Sequence, residues 1–96
     1  MTELYSIRQI LTQLKPELTQ WFFVDSIGLF GSIVRDDFSP TSDIDIIVDF
    51  SKPVGVEFID LANYIEAKLK KKVDLVSKKG LKPKYLQQIQ SEIIYV

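Results

Sequence analysis

The stretch SDIDIIVDF, residues 42–50, decides the fold, because β-branched side chains alternate in it with charged ones. Such a run predicts a strand over residues 44–50. Successive side chains of a strand point to opposite faces, so Asp43 and Asp45 are expected on one face, with Cα atoms ~6.6–7 Å apart. Ile44, Ile46 and Val48 take the other face, which suits a core covered by helices.

The segments around this strand predict helices that alternate with strands. Apolar periodicity predicts helices over residues 3–14, 56–70 and 83–91, and short apolar runs predict strands over residues 26–30 and 73–77. Pro16 is expected to interrupt the first helix, and Ser32 to begin a short one. Because the first two strands are joined by a short connection, we expect a partly antiparallel sheet. The expected fold class is α/β (α+β), a mixed sheet of three to four strands flanked by helices, in one domain over residues 1–96.

The composition excludes several kinds of active site. Hydrophobic residues make up 46% of the chain and charged residues 26%, which is typical of a globular domain. The chain has neither cysteine nor histidine, so thiol nucleophiles, histidine-based triads, the usual zinc sites and an imidazole base are excluded. Catalysis would have to use carboxylates, hydroxyls, lysine, arginine or a hard metal ion such as Mg²⁺.

Signals for export or membrane insertion are not found in the sequence. The N-terminal segment lacks the basic and then apolar layout of a signal peptide. Every apolar run is well below the ~18 residues that a membrane span needs. With the absence of cysteine, this predicts a cytoplasmic protein that has no membrane partner.

Positive charge is concentrated in one part of the chain. Residues 68–84 hold eight of the twelve basic residues and only one acid, Asp74. One interpretation is a solvated helix end and loop, since lysines suit the negative C-terminus of a helix. The other is a surface for phosphates, RNA or an acidic partner. Direct nucleic-acid binding is not expected, because no aromatic residues are interleaved with the lysines and no helix-turn-helix pattern is present.

Three aspartates are candidate catalytic residues and metal ligands. Asp43 and Asp45 repel each other on one face of a strand unless a cation lies between them, and Mg²⁺ prefers such carboxylate oxygens. One or two ions would fit this spacing. Asp74 lies in another apolar strand and could join the pair. The alternative is structural: Asp43 caps a turn and Asp74 points to solvent.

A second group of residues indicates a phosphate ligand. Gly31 allows a tight turn and a close approach of a ligand to the backbone. Ser32 offers a hydroxyl and the N–H groups of a helix start, and Arg35 could clamp a phosphate in forked geometry. Each alone has an ordinary interpretation, as a turn glycine or a surface arginine. Together, and with Ser42, they are the predicted binding residues for a nucleotide triphosphate beside magnesium.

The segments GSIVR at residues 31–35, SDIDIIVDF at 42–50 and VDLV at 73–76 together resemble the minimal nucleotidyltransferase family. Its members are small domains of the DNA-polymerase-β type. The resemblance runs from Ile27 to about Val96. It implies a nucleotidyltransferase-like mixed sheet.

The resemblance also implies a role for each matching residue. Gly31 and Ser32 match the nucleotide-binding Gly-Ser pair of the family. Asp43 and Asp45 match its metal-binding pair, and Asp74 matches its third carboxylate.

The arginine of the motif is followed by a departure from the family pattern. Arg35 matches the family arginine, but Asp36 stands where glycine is common. An acid beside the triphosphate would weaken nucleotide binding unless it turns away.

The function implied by the resemblance is transfer of AMP from ATP, with one or two Mg²⁺ ions. Small members resemble antitoxins that modify a HEPN-domain ribonuclease toxin, and the implied acceptor is a tyrosine hydroxyl of that toxin. Asp43 and Asp45 would hold Mg²⁺ on the triphosphate. Asp74 would help to bind a second ion and would orient or deprotonate the hydroxyl.

Two other functions stay open. The chain could be a binding module with a vestigial site that neutralises its partner by occlusion, an interpretation that Asp36 favours. It could also be an RNA-binding accessory protein that uses the lysines of residues 68–84.

Overall fold

The chain folds as a four-stranded sheet with three helices, and the computed structural model describes residues 3–35, 37–39 and 41–96. The elements are α1 (Glu3–Phe22), β1 (Val24–Phe30), β2 (Ile44–Phe50), α2 (Glu57–Leu69), β3 (Val73–Ser77), α3 (Pro83–Ile89) and β4 (Ile94–Tyr95). Single 3₁₀ turns are formed by Gly31–Ile33, Lys78–Gly80 and Gln90–Glu92.

The sheet is mixed, with strand order β3-β2-β1-β4. Strand β1 pairs antiparallel with β2 and with β4, whereas β2 and β3 are parallel. This confirms the predicted fold class. The strands predicted over residues 44–50 and 73–77 have the observed bounds. Strand β1 begins two residues earlier than predicted, at Val24.

One face of the sheet packs against α1 and α2. Ile44, Ile46 and Val48 of β2 are fully buried on this face, as their alternation with the aspartates predicts. They belong to one core with buried residues of the two helices, Ile7, Leu11, Leu14, Leu18, Leu61, Ile65 and Leu69. Each fully buried leucine or isoleucine contributes ~1.5–3 kcal/mol.

The other face of the sheet is covered in part by α3. Phe30 and Ile47 form a small buried cluster there with Ile89 of α3. Because side chains alternate along β2, Asp45 lies on the same face as Ile47. The start of β2 on this face is therefore where the predicted site residues should meet.

The expectation that Pro16 interrupts the first helix is wrong. Helix α1 runs continuously from Glu3 to Phe22 with Pro16 inside it. A proline in a helix interior removes one hydrogen bond and costs ~3 kcal/mol. Leu14 and Leu18, on either side of it, are both buried, and Pro16 itself is exposed. Burial of the apolar stripe therefore offsets the local cost.

Two further segments differ from the prediction. The short helix expected from Ser32 is a 3₁₀ turn that starts at Gly31. Two of the apolar C-terminal residues form β4 beside β1, and a Cβ at Gly28 would lie 2.7 Å from Cγ2 of Ile93, which directly precedes β4. Asp36 lies outside the described residues. Within the described residues, no helix is long and apolar enough to cross a membrane.

Candidate active site

Two of the predicted carboxylates are neighbours across parallel strands. Asp45 in β2 is in register with Asp74 in β3. Paired positions on adjacent strands place their side chains on the same face of the sheet, where the two carboxyl groups interact. Asp45 is half-buried and Asp74 is exposed.

The environment of Asp45 raises the pKa of its carboxyl group to about 6. Burial is the largest cause, followed by repulsion from the charges of Asp74 and Asp43, and the hydrogen bond to Asp74 acts in the same direction. The nearby Arg35 guanidinium opposes this rise. Near neutral pH, a cation at Asp45 would therefore relieve a strong local repulsion.

Gly31 lies directly against Asp45. Strand pairing places Phe30 opposite Asp45, and the chain turns immediately afterwards at Gly31, whose φ is +78°. A Cβ at this position would overlap Asp45 Oδ2. Glycine is required here for two reasons, because the backbone is left-handed and because the space belongs to the carboxylate.

The structure adds Glu92, a residue that the sequence analysis did not single out. Its carboxylate accepts a hydrogen bond from the Gly31 backbone N–H at 3.1 Å. It also accepts from Arg35 Nη1, at 3.2 Å through Oε2 and 3.4 Å through Oε1. One sequence signal was present: Glu92 is the only acidic residue after Asp74 and lies beside the apolar C-terminal run.

The other residues predicted to bind nucleotide are placed as follows. Arg35 is exposed and also forms an ion pair with Asp37, with 3.6 Å between Nε and Oδ1. Ser32 is half-buried in the turn after β1. The Ser42 hydroxyl lies 3.1 Å from the Ser39 hydroxyl and accepts from the Ser39 backbone N–H at 3.2 Å. Ser42 therefore closes the loop that leads to β2.

Asp43 lies one residue before β2, outside the strand pairing that aligns the other two aspartates. It precedes β2, so strand pairing does not fix the direction of its side chain, and it is exposed. Among residues 3–35, 37–39 and 41–96, no three acidic side chains converge closely enough to hold one metal ion together. Asp43 instead lines a cleft of about 480 Å³ with the neighbouring Thr41 and Ser42 and with Lys70, Lys71 and Lys72.

The donor set nevertheless fits a hard divalent cation. Asp45 and Asp74 present carboxylate oxygens at one point, where their charges repel each other and a cation could lie between them. Asp43 is close enough to Asp45 to raise its pKa, and can add a further oxygen ligand. Oxygen-only ligation of this kind suits Mg²⁺ better than zinc.

A related protein spans the whole chain. The Thermococcus cleftensis protein named protein adenylyltransferase MntA is 44% identical over 97 residues, which cover 100% of this chain and 98% of that protein. Several curated proteins of Methanocaldococcus jannaschii are also similar. One of them, MJ0126, is 38% identical over 98 residues and matches at full length on both sides.

Solved structures share the fold. A structure assigned provisionally as a minimal nucleotidyltransferase superposes with a TM-score of 0.83 at 26% identity, covering 98% of this chain and 95% of that one. Another match is a chain in the complex of a tri-AMPylated Shewanella oneidensis HEPN toxin with an MNT antitoxin. It has a TM-score of 0.60 at 25% identity, covering 96% of this chain and 66% of that one. Residues 4–96 match the family described as nucleotidyltransferase domain, and with the carboxylate pair beside the glycine turn this places the chain in that family, as a nucleotidyltransferase.

Proposed function

We propose that this nucleotidyltransferase transfers AMP from ATP to a hydroxyl group of a HEPN-type toxin protein, in a reaction that requires Mg²⁺. The observation that carries the proposal is the Asp45–Asp74 pair, held in register on adjacent strands beside the tight turn at Gly31. Such a pair supplies the oxygen ligands that nucleotidyl transfer needs for its metal ions.

The choice of donor and acceptor rests on the relatives. A protein adenylyltransferase shares 44% of its residues with this chain over their full lengths. A structural match belongs to a complex in which a HEPN toxin carries AMP. A tyrosine acceptor and a cytoplasmic setting, both expected at the level of sequence, are part of the same proposal.

Each side of Asp45 would serve one substrate. The turn at Gly31 and Ser32 and the Arg35 guanidinium would receive the triphosphate on the β1 side. Asp74, on the β3 side, would orient the acceptor hydroxyl and take its proton. The hydroxyl oxygen bonds to the α-phosphorus as the bond from that phosphorus to the pyrophosphate oxygen breaks, so the products are the AMP ester, pyrophosphate and one proton.

The proposed contribution of Mg²⁺ to the reaction is electrostatic. One or two Mg²⁺ ions shared out among Asp43, Asp45 and Asp74 would neutralise the triphosphate and polarise the α-phosphate, and positioning supplies much of the remaining stabilisation in such reactions. Without a cation, the three carboxylates would repel ATP.

The test is the mass of the partner. A purified HEPN-type partner incubated with ATP, Mg²⁺ and this chain should gain ~329 Da per AMP, because pyrophosphate leaves. The added mass should remain after this chain is removed. Asp74→Asn should abolish the gain while the complex still forms, and Asp25→Asn, an exposed acid at the far end of β1, is the matched control. Unmodified partner in every reaction would contradict the proposal.

A second candidate function is occlusion without catalysis, and one contact favours it. Glu92 already engages the Gly31 N–H and Arg35, two donors that a triphosphate would use. If Glu92 never releases these two donors, the triphosphate cannot bind, and the chain can neutralise its partner only by occlusion. In that case neutralisation would be independent of ATP and indifferent to Asp45→Asn.

A further inference from the structure

A lysine-lined cleft opens on one side of the active site. Strands β2 and β3 are parallel, so the residues that precede them meet at one edge of the sheet. Thr41, Ser42 and Asp43 precede β2, and Lys70, Lys71 and Lys72 precede β3. These six residues line the cleft of about 480 Å³, which we call the lysine cleft.

The position of the lysine cleft separates it from the phosphate side of the site. Strand β2 lies between β1 and β3. Gly31 and Arg35 follow β1, so they lie on one side of Asp45, and Asp74 lies on the other. The lysine cleft is on the side of Asp74, where the acceptor hydroxyl would enter under the proposed function.

The backbone of the cleft is fixed by specific hydrogen bonds. Lys70 ends α2 in the left-handed conformation, with φ of +57°, and its N–H donates to the Glu66 carbonyl at 2.7 Å. Glycine is the usual residue at such a helix end, so lysine here carries a conformational penalty. The carbonyl of Lys72 accepts from the Ile44 N–H at 2.9 Å, which ties this residue to the start of β2.

Two charges of the cleft are available to a ligand. Lys71 Nζ lies 4.0 Å from Glu3 Oε2, a weak and exposed pairing. In the part of the chain that the structure describes, no acidic side chain lies within ion-pair distance of Lys70 or Lys72. The cleft is lined by no aromatic side chain on which a nucleobase could stack.

We propose that the lysine cleft binds an acidic segment of the acceptor protein, next to the hydroxyl that receives AMP. The inference rests on the proposed function and names the recognition element of its acceptor. Glutamate or aspartate side chains of that segment pair with Lys70 and Lys72, and the hydroxyl then reaches Asp74. The volume is within the ~300–1,000 Å³ of common ligand sites, which is enough for a few residues of an extended peptide.

The direct test uses a peptide probe. The full chain, labelled with ¹⁵N, is titrated with the peptide Glu-Glu-Tyr-Glu-Glu and, separately, with Lys-Lys-Tyr-Lys-Lys. The acidic peptide should shift the amide signals of residues 41–43 and 70–72, and the shifts should weaken as salt is raised. The basic peptide should shift none of them. Equal effects of both peptides would overturn the inference.

The kinetic test uses charge variants. Lys70→Gly removes one charge and suits the left-handed backbone, and Lys72→Glu reverses another. Lys84→Glu is the control, because Lys84 is exposed on α3 and does not line the cleft. Combining the two cleft variants should raise KM for the HEPN-type partner about tenfold, with kcat and the Kd of Mg-ATP within about twofold of wild type. The control should match wild type.

The outcomes separate the two proposals. If wild type adds no AMP to the partner, the proposed function fails, and the peptide titration alone decides about the cleft. If wild type adds AMP to the partner and the combined cleft variant has the same KM for the partner as wild type, the inference is wrong. Weaker Mg-ATP binding by the variants would make the cleft a nucleotide subsite, and tighter binding of an oligouridine than of the acidic peptide would make it an RNA site. Either result overturns the inference.

Discussion

At the scale of single residues, Asp45 is held where its charge is unfavourable. Its pKa of about 6 exceeds its ordinary value, so the folded state binds a proton more tightly than the unfolded state does. The resulting loss of stability is absent below about pH 4, where the carboxyl group is protonated in both states, and complete above about pH 6, where it is ionised in both. The charged form of Asp45 therefore costs the fold stability near neutral pH.

This gives a prediction for Asp45→Asn. The amide removes the repulsion, and because the carboxyl group is half-exposed, solvent screening limits the expected gain to about 1 kcal/mol at pH 7. At pH 4 the gain should vanish. Urea unfolding with a chelator at both pH values measures it, and AMP transfer should be lost at either. Equal destabilisation at both pH values would mean that Asp45 is a structural residue.

Glu92 gives a second prediction at this scale. Glu92→Gln removes the charge that holds Arg35 while keeping the shape of the side chain. The affinity for Mg-ATP should rise about two- to fivefold, the size expected for release from a half-exposed ion pair. Calorimetry measures the Kd, and Asp37→Asn, at the longer contact of Arg35, should change it less. A fall in affinity would instead show that Glu92 positions Arg35 for the nucleotide.

The residue contacts differ in how far sequence could predict them. The meeting of Asp45 with Asp74 follows from two short strands in which each aspartate interrupts an apolar run. The contact of Glu92 with Gly31 joins residues 61 positions apart through a turn at the end of α3, and no local pattern encodes it. Asp43 was expected on the same face as Asp45; it lies one residue before β2, so strand pairing does not fix its side chain and the expectation stays a prediction.

At the scale of elements, the strands with a clear apolar pattern could be predicted from the sequence. The shortest elements could not, because they contain too few residues for a pattern. Strands β2 and β3 matched because their apolar runs are bounded by loops. Strand β4 has two residues, too few for a pattern, and its position depends on the space that Gly28 leaves for Ile93. The continuity of α1 through Pro16 depends on tertiary packing, which local propensity does not contain.

Helix α1 carries the third prediction. Pro16→Ala should restore a backbone hydrogen bond in the helix interior, while the freer unfolded chain offsets part of the gain. We expect the free energy of unfolding to rise by ~1–2 kcal/mol. Chemical denaturation measures it. Gln20→Ala, exposed on the same helix, should change it by less than ~0.5 kcal/mol. A loss of stability in Pro16→Ala would show that the proline suits a local bend.

At the scale of the whole molecule, one face of the sheet forms the core and the other carries the candidate active site. Helices α1 and α2 bury one face in the main core. The other face carries the small cluster under α3 and the carboxylates of Asp45 and Asp74, and the lysine cleft lies where β2 and β3 begin. A partner can therefore approach the carboxylates without disturbing the core.

The fourth prediction concerns stoichiometry. A catalyst turns over, so one molecule of this chain with ATP and Mg²⁺ should inactivate at least ten molecules of a HEPN-type partner, an order-of-magnitude expectation for an enzyme. Ribonuclease activity measured against the ratio of the two proteins gives the number. Replacing ATP by an analogue with a methylene bridge between the α- and β-phosphates is the control, because the bond that breaks in AMP transfer is then blocked, and it should limit neutralisation to one partner per chain. A ratio of one with ATP present would favour occlusion.

The contact between Gly31 and Asp45 has a consequence for reading related sequences. Any side chain at position 31 would intrude on Asp45 Oδ2 and would also strain the left-handed backbone. A relative with another residue there could keep its fold and its partner while losing its chemistry. The residue at position 31 would then distinguish catalytic relatives from non-catalytic ones by sequence alone.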